Sequence, residues 1–581
     1  MQFSAQPESG DNALRSPTEE SLDGLETTDR PAPLACLQCH YIPSRRGLKR
    51  RAPHAPPEDE RRVHWKLTAD YGRVPAGESL RESVGSRLIE SIGQTPGPSY
   101  TQGQERSSVP ATTTTPVDLP SAYDDAATTI EDDDALINLF HANFHAAHPI
   151  LVPRGSYSSQ DYPDYLKLVV HFIGGHFSSM ASGDQLRSLA GKALEEAFGK
   201  ASHTYHLVQG LLLFSVALHA RNEIKESVLT LGQAVSVALK LGLHKKAFSE
   251  SILGIDEIEE ESLRRTWWEL YVTDGFMAAL QRGTGSRCHG VHIDVPLPCD
   301  DSIYMEGGTQ ANIFTLADFD ARIYMDEELQ FSSSCYRIEA VRILSRSLAI
   351  SWTHEVHEDQ VQAIDNALAA WPHHLGQGAA EAASASSGAV DEMLFQAHMI
   401  IQFTIINLHF PRSDLVAAIP AASDIIRQTH VLPLSSRTMH GIKAIEASKH
   451  MSNLAALRVP VHKHTPFFIC GIVFGVIVQL SACWVRPARF QEQCRDSVSL
   501  IAGVLKTLSP TWALAQITLR KIKPMALEAL TTRARQAKDK TGSPRDSGVD
   551  VSPPVTEPQI NDLPWLDFFH WAPDETVSQI I

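Results

Sequence analysis

The sequence predicts an all-α protein: one large multi-helix domain between polar, low-complexity ends. Three observations lead there. Apolar residues recur every three to four positions through residues 207–298 and in several stretches on either side. Residues 465–485, TPFFICGIVFGVIVQLSACWV, carry no charge. Residues 1–30, by contrast, are acidic, contain Pro, Ser and Gly, and hold few apolar side chains, so they read as disordered. A chain of 581 residues exceeds one average domain, and a single large helical unit with disordered ends accounts for it.

Taken in order, the first segment with visible chemistry is 31–62, which contains PLACLQCHYIPSRRGLKRRAP. Cys36 and Cys39 form a C-x2-C pair, which is half of a tetrahedral zinc site. Arg45, Arg46, Lys49, Arg50 and Arg51 form a dense basic patch. Such fixed charges can contact phosphates and release counterions, and the same run also suits a nuclear-import signal. The formal net charge of −17 argues against a general nucleic-acid coat, yet leaves room for a small basic module. Eight cysteines in this length do not make a small disulfide scaffold, and MQFSAQPESG has neither the basic start nor the apolar run of a signal peptide. Residues 63–133 read as a linker, with the polar tract TQGQERSSVPATTTTPVDLP and no sustained heptad.

Order is expected over 134–530. The first helix places Leu136, Phe140 and Phe144 on one face, and Pro149 ends it. His141 and His145 stand four apart, but without an HExxH pattern they read, with His148, as ordinary helix histidines. Helices follow over 165–177 and 186–198. A third, 206–221, is apolar on most sides and therefore buried. After a turn at 222–226, Val228, Leu231, Val235, Ala238 and Leu239 form the face of a helix over 227–241. Gly242 then suits a left-handed C′ position, with Leu243 closing back on the last turn.

The next helix has an acidic first turn (Glu257, Glu259, Glu260, Glu261) that complements its dipole. Glu260 with Arg264 and Glu261 with Arg265 are i,i+4 pairs in the favourable order. Leu263, Trp267, Leu270, Tyr271 and Asp274 share a face, and Asp274 is expected to pair with Arg282 or Arg287. Gly283 and Gly285 mark the exit, and HIDVPLP is extended because residues before proline avoid the helical region.

Further helices are expected over 329–357 and 361–371, then a small-residue insertion, GQGAAEAASASSG. HMIIQFTIINLHFPRSDL contains an apolar helix ending at Pro411. Residues 465–485 are long enough to span a bilayer, but the preferred reading is a central core helix in which Gly471 and Gly475 allow close contact. Met525 and Leu527 belong to a last helix. In 531–581, NDLPWLDFFHWAPDET interleaves Trp565, Phe568, Phe569 and Trp571 with Asp562, Asp567, Asp574 and Glu575. That pattern fits an activation segment that docks in a coactivator groove, or a final helix that folds back on the domain. The sequence contains no G-x-S-x-G, P-loop or strand-borne G-x-G-x-x-G, and no catalytic residue is predicted.

ALKLGLHKK, EEESLRRTWWELYVTDGFMAALQRG and HIDVPLP resemble the regulatory middle domain of fungal zinc-cluster transcription factors. Arg264, Arg265, Trp267, Trp268, Asp274, Arg282, Gly283, Asp294, Pro296 and Pro298 stand at matching places. The entry at ALINLFHANFHAAHPIL is similar too, and LHFPRS resembles a Leu-His-Arg-Pro segment with Phe410 in place of the arginine. The resemblance implies a helical, non-catalytic regulatory domain in a nuclear RNA polymerase II regulator. It further implies DNA and coactivators as partners, a homodimer, no membrane, and Zn2+ held by cysteines. Cys39-His-Tyr-Ile-Pro-Ser-Arg-Arg-Gly looks like the exit from such a cluster. Four of the six expected cysteines are absent, however, and Cys36 is too close to Cys39 and is the first cysteine of the chain. Either the cluster is lost or the translation is incomplete. Two other readings stay open: a cluster-less regulator that binds partners but not DNA, and a helical enzyme of unknown reaction. A biosynthetic pathway is a reasonable target, though no residue specifies it.

Overall fold

The computed structural model describes residues 130–539, apart from short internal stretches of which the longest are 376–389 and 419–431. Cys36, Cys39, the basic patch, most of the 63–133 linker, the 376–388 insertion, Arg282 and the acidic-aromatic segment lie outside the described residues. Those described contain no strand, so the all-α expectation holds for them.

Thirteen helices of ten or more residues occur among them. Helix α1 is Ile130–Phe140, continued by a π turn at His141–His145. Then come α2 Asp164–Gly175, α3 Gly183–Phe198, α4 Tyr205–Ala220, α5 Ile224–Leu241 and α6 Glu257–Leu280. The second half comprises α7 Ser333–Ser351, α8 Glu358–Ala370, α9 Glu392–His409, α10 Leu434–Ala455, α11 Phe467–Val485, α12 Gln491–Leu508 and α13 Ala513–Asp539. Short helical turns at Lys246–Ser251, Asp301–Met305 and Leu316–Ala321 decorate the connections.

Neighbours in sequence are mostly neighbours in space, as short helix–helix connections favour. Helix α1 packs on α2, α2 on α3, and α4 on α5. Helix α6 touches α4 and α5 on one side and α7 on the other, so it joins the two halves. In the second half α11 is surrounded by α9, α10, α12 and α13, and α13 returns to α4. The buried apolar side chains form one continuous core from Phe140 to Ala529.

Local details explain several of these elements. Asn222 adopts a left-handed φ of 66° after α4, a conformation asparagine tolerates better than most residues. Gly242 closes α5 at φ 86°, and the amides of Gly242 and Leu243 both reach the Ala238 carbonyl, as the sequence leads one to expect. Asp256 caps α6 by accepting the Glu259 amide at 2.7 Å. Gly275 lets α6 and α7 approach closely, because a Cβ there would fall 2.5 Å from Val341.

The charge-free stretch becomes α11, with 16 of its residues buried inside the bundle. Gly471 and Gly475 face Met451 of α10, where an added Cβ would sit 3.3–3.5 Å from that side chain. A second helix, 392–412, also has the length and apolar composition of a membrane span, which the sequence reading did not single out. Glu392, Gln396 and Arg412 dilute its apolar run, and most of it is buried too. Helices α10 and α12 were not predicted. Helix α10 mixes Ser, His and Lys with its apolar residues all round, so no stripe stands out.

Candidate functional site

Helix α6 is the centre of the motif block. From Glu261 to Ala278 every residue is buried, and five of them are charged. Buried charges must be paired, and four of these five also hold a neighbouring segment.

The first node is the Glu261–Arg264–Arg265 turn. Arg264 binds Glu261 and, at 3.4 Å, Glu260. Arg265 donates through Nε to Glu261 Oε1 at 2.8 Å, through Nη1 to Asp301, and through Nη2 to the Cys299 carbonyl at 2.8 Å. Its guanidinium also lies 4.2 Å from the centre of the Tyr304 ring. Glu261 accepts the Cys299 amide at 2.9 Å. Both predicted i,i+4 pairs are therefore present, but their larger role is to hold the 299–304 segment. Burial disfavours the charged Arg265, and Asp301 and Glu261 outweigh it, so its pKa is raised.

One helical turn on, Glu269 forms the second node. Its Oε1 accepts from His148 Nδ1 at 2.8 Å, and its Oε2 accepts from Arg337 of α7. Arg337 also donates to Gln396 Oε1 of α9 at 2.8 Å. Gln396 in turn donates to Glu392 at 3.0 Å and to the Ala147 carbonyl at 2.9 Å. Glu392 accepts the Thr465 amide at 3.2 Å, and the Thr465 hydroxyl lies 3.0 Å from His148 Nε2. The bonds close a ring through His148, Glu269, Arg337, Gln396, Glu392 and Thr465. It ties the 147–148 turn, α6, α7, α9 and the entry to α11. Burial works against ionising Glu269, yet Arg337 and His148 together overcome it and hold its carboxyl down at about 2.

Asp274 makes the third node. Its Oδ2 accepts from Ser286 Oγ at 2.7 Å and from the Cys288 amide at 3.0 Å, and Arg287 lies 3.6 Å from Oδ1. Arg287 was one of its two expected partners, whereas the Ser286 and Cys288 bonds were not foreseen. Burial, with Asp274 next, pushes the Cys288 thiol well above its usual range.

The flanking motif pieces converge on the same helix. Trp268 Nε1 donates to the Pro296 carbonyl at 2.7 Å. The His244 carbonyl accepts the amides of Asp294 and Val295 at 3.2 Å, and Asp294 Oδ1 accepts the Lys246 amide at 2.8 Å. The LGLHKK turn, the α6 helix and the extended HIDVPLP thus form one unit.

Of the histidines considered as a metal pair, His141 bonds the Ile137 carbonyl at 3.0 Å and His145 the Leu151 carbonyl at 2.7 Å. Among the described residues no group of three or more His, Cys, Asp or Glu is arranged to hold a metal. Sequence reasoning missed the ring around Glu269, since its members lie as far apart as residues 148 and 465. The available signal was a glutamate inside the otherwise apolar WWELY. The two best-formed clefts among the described residues measure only about 20 and 10 Å³, far below the several hundred Å³ of an ordinary small-molecule site. Chemically, this arrangement anchors chain segments through paired buried charges.

Part of this helical unit is similar to a known family of domains. Residues 137–373 match the family model described as the fungal specific transcription factor domain. The match runs from within α1 to just past α8 and takes in Glu261, Glu269 and Asp274 of α6, while Glu392, Gln396 and Thr465 of the ring lie beyond it. Over a longer span the chain is similar to the C6 finger domain transcription factor iacK of Pestalotiopsis fici. The two are 25% identical over 521 residues, covering 85% of this chain and 77% of that protein. No solved structure matches.

Proposed function

We propose that this chain is a fungal regulator of RNA polymerase II transcription, with a non-enzymatic helical control domain. The reading rests on one observation above others: the family match at 137–373 coincides with the α6 unit that organises the fold. Similarity to a transcription factor along 85% of the chain supports it. In this reading Arg45, Arg46, Lys49, Arg50 and Arg51 contact DNA phosphates and direct nuclear import. The acidic-aromatic segment at 561–576 engages coactivators, and the domain at 134–530 controls it. The regulator acts as a homodimer, has no membrane-bound form, and takes a biosynthetic pathway as its target.

A binuclear cluster uses six cysteines, and the basic region offers Cys36 and Cys39. The other six cysteines of the chain are all buried in the helical domain. The residues present therefore do not fit that cluster. The second reading is a cluster-less regulator recruited to DNA by a partner.

The test uses the purified full chain. Zinc content is measured together with duplex binding over a salt series, while a reporter scores the chain tethered to a heterologous DNA-binding domain. Reporter activation that is lost on deleting residues 558–581 is expected. Duplex binding that falls steeply with salt and is lost on neutralising the five basic residues supports direct DNA contact. Activation without duplex binding selects the cluster-less regulator. A tethered chain that neither activates nor represses would sink the transcriptional reading.

A further inference from the structure

The described residues include six cysteines, and all six are buried. Cys288, Cys299, Cys335 and Cys470 are free thiols. Burial raises the pKa of each, to about 12 for Cys299, Cys335 and Cys470. Cys483 and Cys494 differ, because their sulfurs are joined. A chain that keeps four buried thiols unpaired is not a disulfide scaffold of the secreted kind. One joined pair within such a set invites a reversible reading.

We propose that Cys483 and Cys494 form a redox-responsive staple between α11 and α12, open under reducing conditions and closed by a peroxide. Cys483 lies in the last turn of α11 and Cys494 in the first turn of α12. Their Cα atoms are 6.7 Å apart, within the span that a disulfide bridges. The reduced state is also provided for. The Gln479 carbonyl lies 3.3 Å from the Cys494 sulfur and can accept its thiol, while the Gln479 side chain donates to Ser448 of α10 at 2.6 Å. The neighbouring chain reaches the surface: Val485 is 37% exposed, and Arg486 pairs with Asp414 at 2.8 Å.

The chemistry balances with hydrogen peroxide. One thiolate attacks a peroxide oxygen, the O–O bond breaks, and a sulfenic acid forms with release of water. The second thiol then attacks that sulfur, the S–O bond breaks, and a second water leaves. Two thiols are oxidised by two electrons and one peroxide is reduced to two waters. Closing the bond fixes the start of α12, which packs on α11 and α13, and α13 leads to the C-terminal 540–581. The oxidant state of the cell would thereby set the rigidity at the root of that tail.

The experiment takes the full-length folded chain, fully reduced and then exposed to hydrogen peroxide. Free thiols are blocked under denaturing conditions, and peptides are mapped without reduction. A Cys483–Cys494 cross-link is expected, reversed by dithiothreitol or glutathione while the chain stays folded, with the four other buried cysteines blocked as thiols. The thermal midpoint should rise by a few degrees on oxidation and stay put in Cys494→Ser. The mapping needs only the wild-type chain, so a poorly folding variant does not remove the test. Three outcomes overturn the proposal: no cross-link in the folded chain, a cross-link formed only after unfolding, or a cross-link that resists reduction in the folded state.

Discussion

Helix α6 takes five charged side chains into the interior of this protein, and helix α11 takes none. Both are enclosed by other helices, so both had to meet the cost of burial. Helix α11 does so by dispersion and exclusion of water, with Ile472, Val476, Ile477 and Leu480 at most 1% exposed. Helix α6 does so by pairing every charge, four of the five with groups on another segment and Arg264 with Glu260 and Glu261 of its own first turns. The consequences differ. An apolar surface accepts many neighbours of similar size, whereas Glu269 accepts an arrangement in which Arg337 and His148 arrive together. Buried ion pairs are weak devices for raising net stability, but removing one partner leaves the other charge stranded. In this molecule the ionic helix specifies which segments meet, and the apolar helix supplies cohesion.

The sharpest way to break that contrast is Glu269→Ala. It strands Arg337 and His148 in the core, and the expected loss is about 3–5 kcal/mol. Chemical unfolding followed by circular dichroism gives the number. A loss below about 1 kcal/mol would mean that the ring does not anchor the two halves.

This contrast also explains what could be read without coordinates. Helices α2 to α6 were legible because Gly242, the acidic first turn of α6 and HIDVPLP are local signals, each readable within a few residues. The Glu261–Arg265 pair was legible for the same reason, since its members are one helical turn apart. The Glu269 ring was not, because His148, Arg337 and Thr465 are 121, 68 and 196 residues away along the chain. A hydrogen bond across that distance leaves no periodicity. Helix α11 was legible as buried, but its neighbours were not, since apolar packing does not name its partners in advance.

Conservative substitutions sharpen the contrast further. Arg265→Lys keeps the charge but replaces a three-way fork, which serves Glu261, Asp301 and the Cys299 carbonyl, with one flexible ammonium. The expected loss is about 2–3 kcal/mol. Ile472→Val on α11 removes a single methylene and is expected to lose about 1 kcal/mol. Measured side by side by denaturant unfolding, the ionic site should be the less forgiving of the two. Equal losses would erase the distinction drawn between the helices.

Acid separates the two regions by the pH at which each weakens. His219 of α4 packs against Phe467 of α11, with Nε2 3.3 Å from Cys470 Sγ, and burial lowers its pKa from 6.5 to about 3. The unfolded chain therefore binds a proton here that the folded chain refuses. Stability is fully present above pH 6.5 and declines as pH falls from there toward about 3. Glu269 behaves differently: its pKa drops from 4.5 to about 2, so its contribution persists down to about pH 4.5 and is lost only below that. Between about pH 7 and about pH 5 the α4–α11 seam should weaken while the ring around Glu269 stays intact, and His219 alone should account for about 2 kcal/mol. His145 titrates in the same upper window, so the seam's share is isolated with His219→Gln. That variant should lose about 2 kcal/mol less than the wild type over this interval. If its pH profile instead runs parallel to the wild type, His219 already binds its proton in the folded chain. The apolar seam would then be open to water in a way that the ionic hub is not.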